Sequence, residues 1–99
     1  MRRYRKGADF ERKIKKLLEA EGWFVVRSAG SKGLADLIAV FEGEIWAIQA
    51  KISGTSRVEE IKQLCQLARR HKFTPVFARK EGRETVLYNL FTGEALRRW

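Results

Sequence analysis

The sequence predicts an α/β domain with a mixed central sheet flanked by helices. Two stretches, residues 7–21 and 57–72, carry apolar residues at helical spacing. Around them lie five short runs rich in aromatic and β-branched residues, the signature of strands. The resulting order is α-β-β-β-α-β-β, and such a sheet is covered by the helices between its strands. The chain has 99 residues, which suits one domain over 1–99 and not two.

The elements follow in order. Residues 1–6, Met-Arg-Arg-Tyr-Arg-Lys, read as a basic arm. Gly7 to Glu21 reads as a helix whose stripe is Phe10, Ile14, Leu17 and Leu18. Asp9 near its start favours the helix dipole, and Gly22 stops it. Trp23–Ala29 is a strand, and Gly30-Ser31-Lys32-Gly33 a loop. Leu34–Phe41 reads as a second strand, apolar on both faces except at Asp36, and so as a central strand covered on both sides. Glu42-Gly43 is a tight turn. Glu44–Ile52 is a third strand, with Gln49 and Lys51 on one face. Arg57–Lys72 is the second helix, and Cys65 on its apolar side reads as a small buried hydrophobe. Thr74–Arg79 and Glu84–Leu90 are strands, joined by a turn at Glu81-Gly82-Arg83. Trp23 and Trp46 read as core or interface anchors. Trp99, next to Arg97 and Arg98, would cover a partner or a base, or fray.

Charge narrows the partner. Lys plus Arg number 21 against 12 acids, a net charge of +9. Such an excess favours a polyanion through counterion release, and nucleic acid is the leading candidate. The competing explanation is a charged, solubilising surface of the thermophile kind. No apolar stretch is long enough to span a bilayer, and no secretory signal is expected. The lone Cys65 allows no intramolecular disulfide, in keeping with an intracellular, cytoplasmic, nucleoid-associated setting.

Asp36 is the residue that needs explaining. A carboxylate inside an apolar strand costs several kcal/mol (roughly) unless it is paired, hydrogen-bonded or bound to metal. Gln49 and Lys51 lie two apart on the neighbouring strand, across a short hairpin turn, so the three side chains would converge. These types suit phosphodiester hydrolysis. Asp36 and the Gln49 side-chain oxygen would bind a divalent cation, and Lys51 would orient water or stabilise growing phosphoryl charge. Glu11, with Ile14 and Leu18 at i+3 and i+7, would add a further metal-linked acid. Spacing leaves an alternative open, a buried Asp36–Lys51 ion pair without catalysis.

These residues resemble a known family. The element order, with Asp36 and then Gln49-Ala50-Lys51, is similar to the PD-(D/E)XK nuclease core, the restriction-endonuclease-like α-β-β-β-α-β fold. Gly7-Ala8-Asp9-Phe10-Glu11-Arg12 and Gly22-Trp23-Phe24-Val25-Val26-Arg27-Ser28-Ala29-Gly30-Ser31 resemble archaeal Holliday-junction resolvases. The resemblance spans roughly residues 5–80, and 27–31 is its most specific part. It implies Glu11, Asp36 and Gln49 at a magnesium or manganese site, and Lys51 as the catalytic lysine. Arg12, Arg27 and Ser28 fall where those resolvases contact DNA or support catalysis. It further implies a homodimer that cuts four-way or other branched DNA. The basic residues Arg2, Arg3, Arg5, Lys6, Lys32 and Arg57 are candidate DNA contacts by charge.

The chain departs from that pattern twice. Ala35 stands where many members carry proline. Gln49 stands where the resolvases carry glutamate, which removes a negative charge from the metal site and weakens it. Mrr-like restriction members of the superfamily use a similar Q-x-K form. The expected function is therefore a metal-dependent endonuclease for branched DNA. Its alternatives are a restriction- or repair-type nuclease on duplex DNA, and a DNA-binding module that lost catalysis through Gln49.

Overall fold

The computed structural model describes residues 3–28, 34–54 and 58–99, and for residues 3–6 the backbone alone. Helix α1 spans Arg3–Ala20 and α2 spans Val58–His71. The strands are β1 (Phe24–Arg27), β2 (Leu37–Phe41), β3 (Glu44–Lys51), β4 (Thr74–Glu81), β5 (Glu84–Asn89) and β6 (Ala95–Arg98). They form one sheet in the order β1-β2-β3-β4-β5-β6. All neighbours are antiparallel except β3 and β4, which run parallel because α2 carries the chain back between them.

Helix α1 lies on one face of the sheet. Phe10, Ile14 and Leu18 recur every four residues, and all three are buried against Val25, Leu37, Ala39, Ile48, Val76 and Leu87. Leu17, expected in that stripe, is only half-buried. It lines the outer face with Asp9, Arg12, Lys13 and Lys16. The helix ends in a Schellman motif, in which Trp23 N–H donates to Leu18 O at 3.1 Å and Gly22 N–H to Glu19 O at 3.0 Å. That motif needs the left-handed φ of +102° that Gly22 adopts. It also seats Trp23 against Trp46, with ring centroids 4.2 Å apart. The Glu42-Gly43 turn has φ of 46° and 87°, the double positive φ of a two-residue hairpin.

Helix α2 packs on β4 from the opposite face through Leu64 and Ala68, and there Ala47, Phe77 and Val86 are buried. Its first turn carries Glu59 and Glu60 and its last Arg69, Arg70 and His71, an arrangement that suits the helix dipole. Half of that face stays open. Val26 opposes Ile38, Phe24 opposes Val40, and Val40 opposes Ile45, so these side chains share one surface. Phe24 is 69%, Val26 49%, Ile38 39% and Ile45 41% exposed.

Four expectations need correction. The basic segment is not wholly an arm, since helical backbone begins at Arg3. Strand β2 begins at Leu37, so Asp36 lies just before it. That strand is covered on one face only, because α2 sits over β4 and not over β1 and β2. The C-terminal residues form β6. Trp99 exchanges backbone bonds with Thr85 at 2.8 and 2.9 Å, and its indole N–H donates to Glu21 at 3.1 Å. Arg97 reaches the same carboxylate at 2.7 Å and lies over Trp46. Trp99 is thus a latch between the last strand and the end of α1.

Candidate active site

The predicted residues gather at one end of the sheet, where β1 and β3 finish and β2 starts. Asp36 extends the ladder by one step. Its N–H donates to Ile48 O at 2.8 Å, and its carbonyl accepts from Ser28 N–H at 2.9 Å. Its carboxylate then replaces the next main-chain acceptor, with Ala50 N–H donating to Oδ2 at 2.9 Å. The carboxylate is therefore fixed beside β3 by a backbone amide. A hydrogen bond to the charged form of an acid offsets part of its desolvation.

Glu11 comes to this cluster from α1. Arg27 Nε donates to Glu11 Oε1 at 2.9 Å, and both side chains are less than one-fifth exposed. Burial pushes the Glu11 carboxyl above its usual range, and the negative charge of Asp36 pushes it the same way. The hydrogen bond and charge of Arg27 act against both. Glu11 thus senses Asp36 as a like charge, and Arg27 is the cation paired with it.

Gln49 is buried on β3, 6% exposed, and its Nε2 donates to the Leu34 carbonyl at 3.1 Å. Lys51 lies two residues on and is exposed. It makes no ion pair with Asp36, so the two do not form the dry pair that spacing alone allowed. Ser28 is exposed at the end of β1.

The basic candidates divide. Arg12 is on the outer face of α1, paired with Asp9 at 3.3 Å. With Lys15, Lys16, Glu19 and Arg27 it lines a groove along α1. Arg3, Arg5 and Lys6 are on the first turns of α1, where only backbone is described. Arg2, Lys32, Arg57 and the Gly30–Gly33 loop lie outside the described residues. Gln63 and Gln66 line a groove with Leu34, Leu67 and Arg70.

A hard divalent cation fits the donor set. A divalent cation would offset the repulsion between the two carboxylates, and the Gln49 amide carries a neutral oxygen of the type such cations accept. Among the described residues no group of three or more His, Cys, Asp or Glu that could hold a metal ion is present. Sequence reasoning missed the Ala50 amide, the Leu34 carbonyl and the Arg27–Glu11 bond. Only the last had a signal. Val25 and Arg27 alternate onto one strand face, and that face is the one α1 covers.

Comparisons with known proteins bear on the family and the fold. The family model of the archaeal Holliday junction resolvase (Hjc) matches residues 2–98. The crossover junction endodeoxyribonuclease Hjc of Methanocaldococcus jannaschii is 41% identical over 93 residues, covering 90% of this chain and 69% of that protein. The structure of Archaeoglobus fulgidus Hjc, a Holliday junction resolvase from an archaeal hyperthermophile, aligns with a TM-score of 0.73 at 25% identity. That alignment covers 87% of this chain and 74% of that one. The chain belongs to the archaeal Holliday junction resolvase (Hjc) family, within the PD-(D/E)XK nuclease superfamily.

Proposed function

We propose that this chain cuts four-way DNA junctions as a homodimer, using magnesium or manganese held by Glu11, Asp36 and Gln49. The observation that carries the reading is the Glu11–Arg27–Asp36 cluster beside the β3 end that bears Gln49 and Lys51. It unites the acids and the lysine of the family at one edge of a basic protein. The bound cation would polarise the scissile phosphate and lower the pKa of an attacking water. Lys51, exposed at the end of β3, stabilises the charge that grows on the phosphoryl oxygens. Ser28 supports the same step from the end of β1. Arg12 and Arg27 contact the DNA backbone along the α1 groove, and Arg2, Arg3, Arg5, Lys6, Lys32 and Arg57 are further candidate DNA contacts by charge.

The open apolar face supports the homodimer. Four large hydrophobics exposed side by side exceed what scattered surface residues require. A second copy on that face would give the two active sites that paired cuts need, by the symmetry of a two-fold interface. A protein that cuts junctions works beside genomic DNA, so we assign it to the intracellular, nucleoid-associated pool. No described helix is long and apolar enough to cross a membrane.

Cleavage of a four-way junction and of linear duplex of the same sequence, titrated with Mg²⁺ and Mn²⁺, tests the reading. Cation-dependent cutting of the junction alone is expected. Equal cutting of the duplex would make it a general duplex nuclease. Tight binding with no cutting in either cation would make it a DNA-binding module.

A further inference from the structure

We propose that Gln49 is a positioning residue, and that its side-chain nitrogen holds the segment carrying Asp36 in place. The role is one that an ionised glutamate cannot fill. The inference rests on the reading of Asp36 as part of the metal site.

Residues 34–36 precede β2 and lack its regular ladder. Three consecutive residues of β3 hold them. Ile48 accepts from the Asp36 N–H, the Gln49 Nε2 donates to Leu34 O, and the Ala50 N–H donates to the Asp36 carboxylate. The regular register ends with Leu37 opposite Ile48, and the Asp36 N–H bonds to that same Ile48, so the segment before β2 departs from the ladder with β3 at Asp36. Gln49 is thus at the centre of the clamp and ties down its far end, two residues before the acid.

The polarity of that bond is decided by Leu34. A carbonyl oxygen only accepts, so the amide must turn its NH₂ toward it. An ionised glutamate has only acceptors. At position 49 it would set a negative oxygen against the Leu34 carbonyl in a buried site, and the clamp would open at that point. Leu34 borders a groove with Gln63, Gln66 and Arg70, so it has space to move when released. The amide therefore suits the fold around the site, and a return to the acid gains a charge while losing placement.

Amide hydrogen exchange in the metal-free, DNA-free protein tests this. The variants are Gln49→Glu and Gln49→Met, the second of similar length and without a donor. Both should speed exchange of the Ala50 and Asp36 amides about tenfold, the scale of one lost hydrogen bond. Amides of the β4–β5 ladder should be unchanged, which a general loss of stability would not produce. Should Gln49→Glu fail to fold, Gln49→Met decides the question by the same readout. Wild-type exchange at both amides in Gln49→Met overturns the proposal. Calorimetric Mn²⁺ titration of the same samples then judges the metal reading by itself. Should neither the wild type nor a Gln49 variant bind Mn²⁺, that reading fails, while the exchange result still decides the role of Gln49.

Discussion

Arg27 donates to the Glu11 carboxylate across 2.9 Å and so joins the last residue of β1 to α1. The bond does two things. It holds α1 over the site end of the sheet, and it keeps Glu11 oriented beside Asp36. Removing Arg27 leaves a mostly buried carboxylate without its partner. Arg27→Met should lower stability by on the order of 2 kcal/mol. Urea unfolding at neutral pH measures this, and an unchanged midpoint would show that the pair contributes nothing. Glu11→Gln should lose less, because the amide oxygen still accepts from Arg27.

In the proposed metal site, proton and cation would compete for Glu11. Its carboxyl is raised by burial and by Asp36, so it takes up a proton above the 4.5 of an unperturbed glutamate. The sign follows from linkage. A carboxyl raised in the folded state favours folding below its ordinary range, and that contribution is lost as pH rises through the folded value. Cation binding runs the other way, since it requires the ionised form. Mn²⁺ affinity should therefore weaken as pH falls toward the raised value, earlier than for a free carboxylate. Calorimetric titrations across the acid range read it out, and Glu11→Gln should flatten the dependence.

In the proposed reaction Lys51 stabilises the charge that grows on the phosphoryl oxygens. Lys51→Met should cut the cleavage rate about 10²–10³-fold, the scale of one lost charge stabiliser in a transition state. Junction affinity should change by far less, because the basic surface is spread over many residues. Single-turnover cleavage beside a gel-shift titration separates the two. Equal losses in both would make Lys51 a DNA anchor instead.

Gly22 serves the fold and not the chemistry. Its φ is +102°, and an added Cβ would lie 3.1 Å from Phe41 Cε1. Gly22→Ala combines backbone strain with a tight contact and should cost about 1–3 kcal/mol. Thermal unfolding should show the shift. Cleavage per folded molecule at a permissive temperature should be unaffected, as Gly22 lies just past the end of α1, about three helical turns from Glu11.

Ile38 tests the dimer. It sits among Val26, Phe24 and Ile45 on the uncovered sheet face. Ile38→Asp should leave the monomer folded, because the residue is already 39% exposed, and should abolish self-association. Sedimentation velocity checks it. A dimer that survives Ile38→Asp and Phe24→Asp together would have to use another surface.

Much of the molecule can be read from periodicity alone. The stripe Phe10–Ile14–Leu18, the Glu42-Gly43 turn and the alternation along β3 follow from local geometry, so helices, strands and hairpin were legible in order. Asp36 was legible as well, because a carboxylate set against apolar neighbours carries a cost that demands a reason. The sequence reading failed where distant segments meet. Nothing local says that residues 95–98 pair with β5, since Trp99 gains its place from Thr85 and Glu21, the latter 78 residues away. Nor does β2 reveal that only one of its faces is covered, because that depends on where α2 lands. Gln49 is the sharpest case. Its spacing marks the site, but the carbonyl it meets belongs to Leu34, 15 residues earlier. Which end of an amide is useful depends on what stands opposite it, and only the folded chain brings that group within reach.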